Sequence, residues 1–530
     1  MEKIQKIIHR YLLLIVLVLS IPAIWALFVH GFYGASDDLH IAWLYEMDRV
    51  INFGKFPPRF VPDLSFGFGY PLFNFVFPLP FYIGEIFHKL GLTFVDSVKA
   101  VFLLSVPLSM YFMYKFLKEY TNEILALAGA VLYVYTPYRA TDIYVRGAIG
   151  EILAFVFPPL AAFAITKIGK DKSKRWIALL GIAVTGLILS HDIMAYMFIP
   201  FLALLAFWQW RGVIKSVYGF ILGLLVSLYF WLPALTESKL MKYDTVYNYW
   251  DQFPSLKQLI SPYFGYGGSN PGQNLVGMSF FIGLVNLLLV VFSFLIIIFS
   301  WRKINRVVRV ILVWALATFF IAFFMMNYRS IFVWRIIPYL SYFQFPWRFL
   351  SLTTFATSIL VVIFDKVKFG KIIGIIIIIG AILLNFTDFK PHDFLGRTDE
   401  YYLNRYIPYP VASAEYLKTG EEYLRLPLAT EIRPDKVSPN PGLDAAFNID
   451  NKSETVFNYY KYYFPGWEVK VDGSKTQIMA GKPYGQILFN IASGKHFVEI
   501  AFKETPFRKI LDILSLLGLA IAVTISLRRK

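Results

Sequence analysis

Residues 35–40, Ala-Ser-Asp-Asp-Leu-His, place two adjacent carboxylates, Asp37 and Asp38, and an imidazole, His40, directly behind an apolar run over residues 11–30. Ionisable groups so close to a bilayer tend to be functional. A carboxylate there can act as a general base. Ser36, Asp37 and Asp38 are also good helix-capping types, which is the ordinary role open to them. Other residues able to do chemistry recur in three short stretches. "PYRATDIYVRGAIGE" (137–151) carries Arg139, Asp142, Arg146 and Glu151; "SHD" (190–192) carries His191; and "NYRSIFVWRIIPYLSYFQFPWR" (327–348) carries Arg329, Arg335 and Arg348. Each has a plain structural role available. Asp142 and Arg146, four apart, can pair on a helix, Glu151 can complement a helix dipole, and an arginine can anchor a span at the headgroups. Carboxylates and several arginines on one surface together describe a site for an anionic, lipid-linked substrate, because the planar guanidinium donates two parallel hydrogen bonds to phosphate.

The elements that must position these residues are membrane spans. The chain of 530 residues is 57% hydrophobic and 16% charged, with 52 Phe and a mean hydropathy of +0.56. A soluble protein of this length is more polar. Twelve apolar segments are long enough to be read as spans, at about 11–30, 96–116, 122–138, 150–168, 175–190, 192–210, 214–235, 277–300, 307–326, 347–365, 370–386 and 507–526. The net charge of +16 sits in clusters between them, such as "KIGKDKSKRW" (167–176), "WRKINRVVR" (301–309) and the terminal Arg528, Arg529 and Lys530. That is a positive-inside distribution and not a nucleic-acid surface. It predicts a multi-pass membrane protein with both termini cytoplasmic. The stretch 35–40 then lies outside, at the start of a long outer loop, 31–95. The aromatic part of that loop, 60–82, reads as a lipid-facing stacking platform or as an interfacial aromatic belt.

Residues 387–506 form the one sizeable water-soluble block, β-rich from about 440. "WEVKVDG" (467–473) alternates as a strand does, and "GQILFNIASGKHFVEIAFK" (485–503) reads as strand, turn at Ser493-Gly494, strand. The expected fold is therefore mostly α: about twelve transmembrane helices, with a small extracytoplasmic β-sandwich-like domain before the last helix. The expected domains are 1–386, 387–506, and 507–530 for the last span and basic tail. With no cysteine, disulfides, thiolate nucleophiles and Cys-based metal sites are excluded. The seven histidines are scattered, which leaves an oxygen-ligand site for Mg²⁺ or Mn²⁺ at Asp37 and Asp38 as the one metal option. No P-loop, GxGxxG after a strand, or GxSxG is present.

"SDDLHIAW" (36–43) with the loop that follows it, "YRATDIYVRGAIGEILAF" (138–155), "LSHDIMAYMF" (189–198), "FQFPWRFL" (343–350) and "YYFPGWEVKVDG" (462–473) together resemble a family of prokaryotic polytopic proteins. These are labelled 6-pyruvoyl-tetrahydropterin synthase-related membrane proteins. They are similar to YfhO-like proteins and, more distantly, to the GT-C glycosyltransferases. The pterin label does not carry over, since this chain has no suitably spaced histidines. The GT-C resemblance implies transfer of a sugar from a polyprenyl-phosphate-linked donor to a glycan, lipid or protein acceptor on the outer face. It implies a catalytic acid in the first outer loop, at Asp37 or Asp38. Glu151, His191 and Arg348 fall in the matched motifs, and with His40, Arg139, Asp142, Arg146 and Arg335 of the charged outer surface they are the expected substrate contacts. Two other readings stand beside it: a non-catalytic envelope-biogenesis protein of the same fold, and a lipid or polysaccharide transporter. The transporter reading requires polar residues along a path at mid-membrane, and most charges here fall at span ends.

Overall fold

The computed structural model describes residues 2–65, 67–171, 173–241, 249–407, 418–419, 422–423, 442–482 and 485–527. All twelve apolar segments contain a helix. Six helices are long and apolar enough to cross a membrane: Phe94–Leu117, Ile149–Lys170, Arg306–Met325, Pro346–Lys366, Gly370–Asp388 and Pro506–Leu527. Two bent pairs, Ile4–Arg10 with Leu12–Phe28 and Val213–Val226 with Leu228–Leu240, raise the number to eight if each is one span. The expected twelve is not reached. Glu123–Val134, Arg175–Ser190, Asp192–Trp208 and Leu284–Ser300 are helical but only 10–17 residues long. At 1.5 Å per residue these fall short of a bilayer core of about 30 Å. Arg528, Arg529 and Lys530 lie outside the described residues.

Local sequence explains the helix ends. Thr93 caps Phe94–Leu117 by accepting the Asp96 amide, and Asp399, far along the chain, accepts the amides of Phe94 and Val95 at 2.9 and 2.8 Å. Asn122 caps Glu123–Val134, and the His191 ring caps Asp192–Trp208. Glycines set the closest helix approach. A Cβ on Gly223 would come within 2.6 Å of the Val184 side chain, and one on Gly219 within 2.9 Å of Leu180, so Arg175–Ser190 and Val213–Val226 pack backbone to backbone.

Strands run from Asp444 to Phe502 in two antiparallel sheets. Asp444–Asn451, Gly494–Phe502, Trp467–Val471 and Ser474–Thr476 form one, in that spatial order; Thr455–Tyr462, Gln486–Ile491 and Met479–Ala480 form the other. Asp472 and Gly473, at φ 51° and 80°, make the tight turn between Trp467–Val471 and Ser474–Thr476. Gly494 opens the last strand at φ 122°. Val469, Val498 and Ile500 of the first sheet and Ile487, Phe489 and Ile491 of the second are buried, giving the sandwich expected from the period-two pattern.

Much of the aromatic loop 60–82 packs against protein and not against lipid. Phe60, Phe68, Tyr70 and Phe73 are buried. Phe60 packs on Trp467 and Phe502 at ring distances of 5.4 and 5.2 Å, and Phe68 on Tyr462 at 5.2 Å. The β-sandwich offers more apolar contact than the interface does, so the loop docks there. Polar pairs complete the junction. Arg59 bonds Glu504 and Asp512, each at 2.8 Å. Arg508 and Asn74 share Glu237, at 2.9 and 2.8 Å. Lys461 is fully buried and donates to the carbonyls of Pro62 and Gly67 at 3.0 and 2.7 Å.

Burial pushes the Lys461 ammonium down to about 8. The unfolded chain keeps that proton up to the ordinary lysine value of about 10.5. Between these limits the unfolded state binds more protons, so stability rises with pH. Wild type is therefore expected to gain about 3 kcal/mol relative to Lys461→Met as pH is raised from 8 to 10.5. Parallel melting-temperature curves for the two proteins over that range would show that Lys461 is solvated and not buried.

Candidate functional site

Residues 137–151 do not form a continuous helix. Thr141–Arg146 is a wide π-helical turn ended by Gly147 in the left-handed region, φ 69°. The Asp142 carbonyl accepts both the Gly147 and the Ala148 amides. Turns of this kind concentrate at functional sites. A Cβ on Gly147 would also meet that of Ala35 at 3.0 Å, because the first outer loop lies directly on this turn. The Ser36 amide donates to the Val145 carbonyl at 3.1 Å and the Asp37 amide to the Arg146 carbonyl at 2.7 Å. Tyr33 donates to the Ile143 carbonyl at 2.5 Å. The stretch 35–40 is thereby held against the turn by backbone bonds, and Asp37 faces Arg146 side chain to side chain at 3.8 Å.

The centre of the cluster is Glu151, which is fully buried. Its Oε2 accepts from Arg146 Nη1 and Tyr138 Oη, both at 2.9 Å. Its Oε1 accepts from Arg348 Nε at 3.0 Å and lies 3.8 Å from His191 Nε2. Arg146 Nη1 also donates to Asp142 Oδ1 at 2.6 Å, and the guanidinium stacks over Trp347 at 4.9 Å. Arg348 Nη1 donates to the Phe343 carbonyl at 2.8 Å, and its guanidinium lies 5.1 Å over the Phe345 ring. His191 stacks on Phe77 at 4.9 Å, and its Nδ1 accepts the Met194 amide at 3.3 Å. That bond fixes the proton on Nε2, the nitrogen turned to Glu151. Gly150 makes the crowding possible, since a Cβ there would sit 2.4 Å from Phe77 and 2.7 Å from the Ser190 carbonyl.

Two guanidiniums thus meet three carboxylates, Asp37, Asp142 and Glu151. All five are buried except Asp37, whose side chain keeps 35% of its surface exposed. His40 is buried beside the rings of Trp43 and Phe81, at 5.2 and 5.8 Å, and its Nδ1 has no partner among the described residues. Burial pushes its pKa down to about 4, so the ring is neutral at physiological pH.

Of the residues picked out from sequence, the structure brings together Asp37, Asp142, Arg146, Glu151, His191 and Arg348, with His40 beside them. Asp38 turns away. It is bonded to the Tyr406 hydroxyl and lies 3.8 Å from Arg397, with burial raising its pKa. Asp37 and Asp38 therefore serve different neighbours and do not form a joint ligand pair for Mg²⁺ or Mn²⁺. Among the described residues, no group of three or more His, Asp or Glu side chains is arranged to hold a metal ion. Arg139 is buried next to the cluster and, among the described residues, bonds Ser109 alone, at 3.3 Å. Arg335 is apart and exposed, stacked on Trp250 at 4.9 Å. The short helix that carries it, Ile331–Ile336, turns the arginine outward while Trp334 packs inward. Tyr138, Trp347 and Phe77 were missed in the sequence reading. Tyr138 and Trp347 each neighbour a chosen arginine in the chain, but an aromatic residue in so aromatic a sequence gives no signal of its own.

Residues 76–236 match a family model described as dolichyl-phosphate-mannose-protein mannosyltransferase. That stretch holds Arg139, Asp142, Arg146, Glu151 and His191, and not Asp37 or Arg348. An uncharacterised protein of Lactococcus lactis subsp. cremoris (strain MG1363) is 24% identical over 198 residues, which is 36% of this chain and 32% of that protein. The chain thus spans about a third of that relative's length. Among solved structures, the arabinofuranosyltransferase AftD from Mycobacteria superposes at a TM-score of 0.41 with 14% identity, over 72% of this chain and 27% of that one. The Archaeoglobus fulgidus oligosaccharyltransferase in its apo form superposes at 0.41 with 13% identity, over 79% and 62%. At this level of similarity, function has to be argued from the site itself.

Proposed function

We propose that the chain is a membrane glycosyltransferase of GT-C type, related to the YfhO-like proteins. It takes a sugar from a polyprenyl-phosphate-linked donor and passes it to a glycan, lipid or protein acceptor at the outer face of a prokaryotic plasma membrane. The observation that carries this reading is the pairing of Asp37 with Arg146: a partly exposed carboxylate beside a buried guanidinium, itself tied through Glu151 to Arg348. The family model matched by residues 76–236 names a lipid-phosphate sugar in its description, and that class of donor fits two arginines.

In the proposed reaction the acceptor hydroxyl attacks the anomeric carbon. The O–H bond breaks with its proton passing to Asp37, the new C–O bond forms, and the bond from carbon to phosphate oxygen breaks with its electron pair leaving on the phosphate. One displacement inverts the anomeric centre. Phosphate is already a good leaving group, so no strong acid is needed. Arg146 and Arg348 stabilise the charge that grows on it. Glu151 touches neither substrate and holds both arginines in place. Asp38, bonded to Tyr406, fixes the loop that presents Asp37.

Native mass spectrometry of the gently extracted protein with undecaprenyl phosphate added tests the donor side. Wild type is expected to retain the lipid, and a folded Arg348→Gln variant to bind it at least tenfold more weakly. Ordinary phospholipid alone in both samples would favour a non-catalytic relative of the same fold. The specific observation behind that second reading is the charge count, since both guanidiniums are already matched by carboxylates in the structure.

A further inference from the structure

Arg139 is the unexplained residue beside the site. Its guanidinium is buried to 1% exposure, packed 4.1 Å over the Phe155 ring. Nη2 has the Ser109 hydroxyl, but Nε and Nη1 have no acceptor among the described residues. A buried guanidinium with two unmet donors is costly. A complementary vacancy lies three residues on. Asp142 is fully buried, its Oδ1 is held by Arg146, and its Oδ2 has no partner among the described residues. Arg139, Asp142 and Arg146 are spaced three and four apart, which puts them on one side of a helical turn. Asp142 is within the electrostatic reach of both arginines, yet no hydrogen bond or ion pair joins it to Arg139.

We infer that Asp142 is a two-position carboxylate that hands over from Arg146 to Arg139 when an anionic phosphate enters the site. The inference rests on reading the cluster as a phosphate site and adds what makes room in it. In the observed position Arg146 is shared among Asp142, Glu151 and Asp37 and has little to offer a phosphate. Rotation of the Asp142 side chain toward Arg139 satisfies both vacant partners at once. It also removes one carboxylate from Arg146 and frees one N–H of Nη1 for the incoming oxygen, the other remaining on Glu151. The turn need not move, because its end is held by the two amides bonded to the Asp142 carbonyl. Arg139 is then a positioning residue: it never touches the phosphate and acts by receiving Asp142.

A double-mutant cycle read as undecaprenyl phosphate affinity by native mass spectrometry tests this on the full chain. Arg139→Gln is expected to weaken binding about tenfold in the wild-type background. In the Asp142→Ala background, where Arg146 is already released, the same change should have no effect. Simple loss of a nearby positive charge predicts equal weakening in both backgrounds, and that result would overturn the handover while leaving the donor reading intact. Unchanged binding by Arg139→Gln alone would overturn it as well. Failure of wild type to bind the lipid would remove the donor reading and this inference with it. Should Asp142→Ala not fold, a structure of wild type with the lipid bound decides instead. Asp142 within hydrogen-bond distance of Arg139 supports the handover, and Asp142 still on Arg146 refutes it.

Discussion

Glu151→Ala is expected to cost about 3–5 kcal/mol of stability, the range for breaking a buried ion pair by removing one partner. The loss follows from what the carboxylate holds. Arg146, Arg348, Tyr138 and the proton of His191 all turn to it, and it has no exposed surface. Without it two guanidiniums remain in the interior with fewer acceptors than donors. Glu151→Gln keeps the shape and one acceptor oxygen, and should retain part of that stability. Melting temperature and monodispersity in mild detergent measure the effect. If Glu151→Ala melts within a degree or two of wild type, water reaches the cluster and Glu151 does not organise it.

Separate Asp37→Asn and Asp38→Asn variants are expected to fail in opposite ways. Asp37 sits at the open edge, 3.8 Å from Arg146. Its loss should lower sugar transfer by about 10²–10⁴-fold, the usual worth of a general base, with little change in melting temperature. Asp38 is buried and bonded to Tyr406. Its change should cost about 1–3 kcal/mol of stability and leave most of the transfer rate in the protein that remains folded. The assay is transfer from a polyprenyl-phosphate-linked sugar in proteoliposomes. Full activity in Asp37→Asn, or loss in Asp38→Asn alone at unchanged stability, would reverse the two assignments.

Much of this arrangement was legible in the chain. Apolar run length located the helix in each of the twelve apolar segments, and strand alternation located the sandwich, because both follow from local periodicity; the helices of the outer loop, His40–Asn52 and Leu79–Lys89, carry no such run and were not read. The number of crossings was not legible. The segment 175–190 is helical from end to end, but 16 residues rise only about 24 Å, so an apolar run marks a helix without fixing whether it crosses the bilayer. Convergence of Asp37, Arg146, Glu151, His191 and Arg348 was foreseeable only as a shared surface. The partition of Asp37 from Asp38 was out of reach, because it depends on Tyr406 and Arg397, more than 350 residues away. The same holds for the aromatic loop. Phe60 and Phe68 look like an interfacial belt until Trp467, Phe502 and Tyr462 are seen against them.

That docking also sets an order of events during synthesis. Arg59 finds its partners at Glu504 and Asp512, 445 and 453 residues later. At about 5–20 residues per second, the first outer loop emerges and waits roughly 20–90 s before the surface that covers it exists. Phe60 and Phe68 are exposed to solvent, lipid or a chaperone for all of that time. The stretch that carries Asp37 finds its own hold early, on residues 145 and 146, while the aromatic part of the same loop gets its cover only near the end of translation.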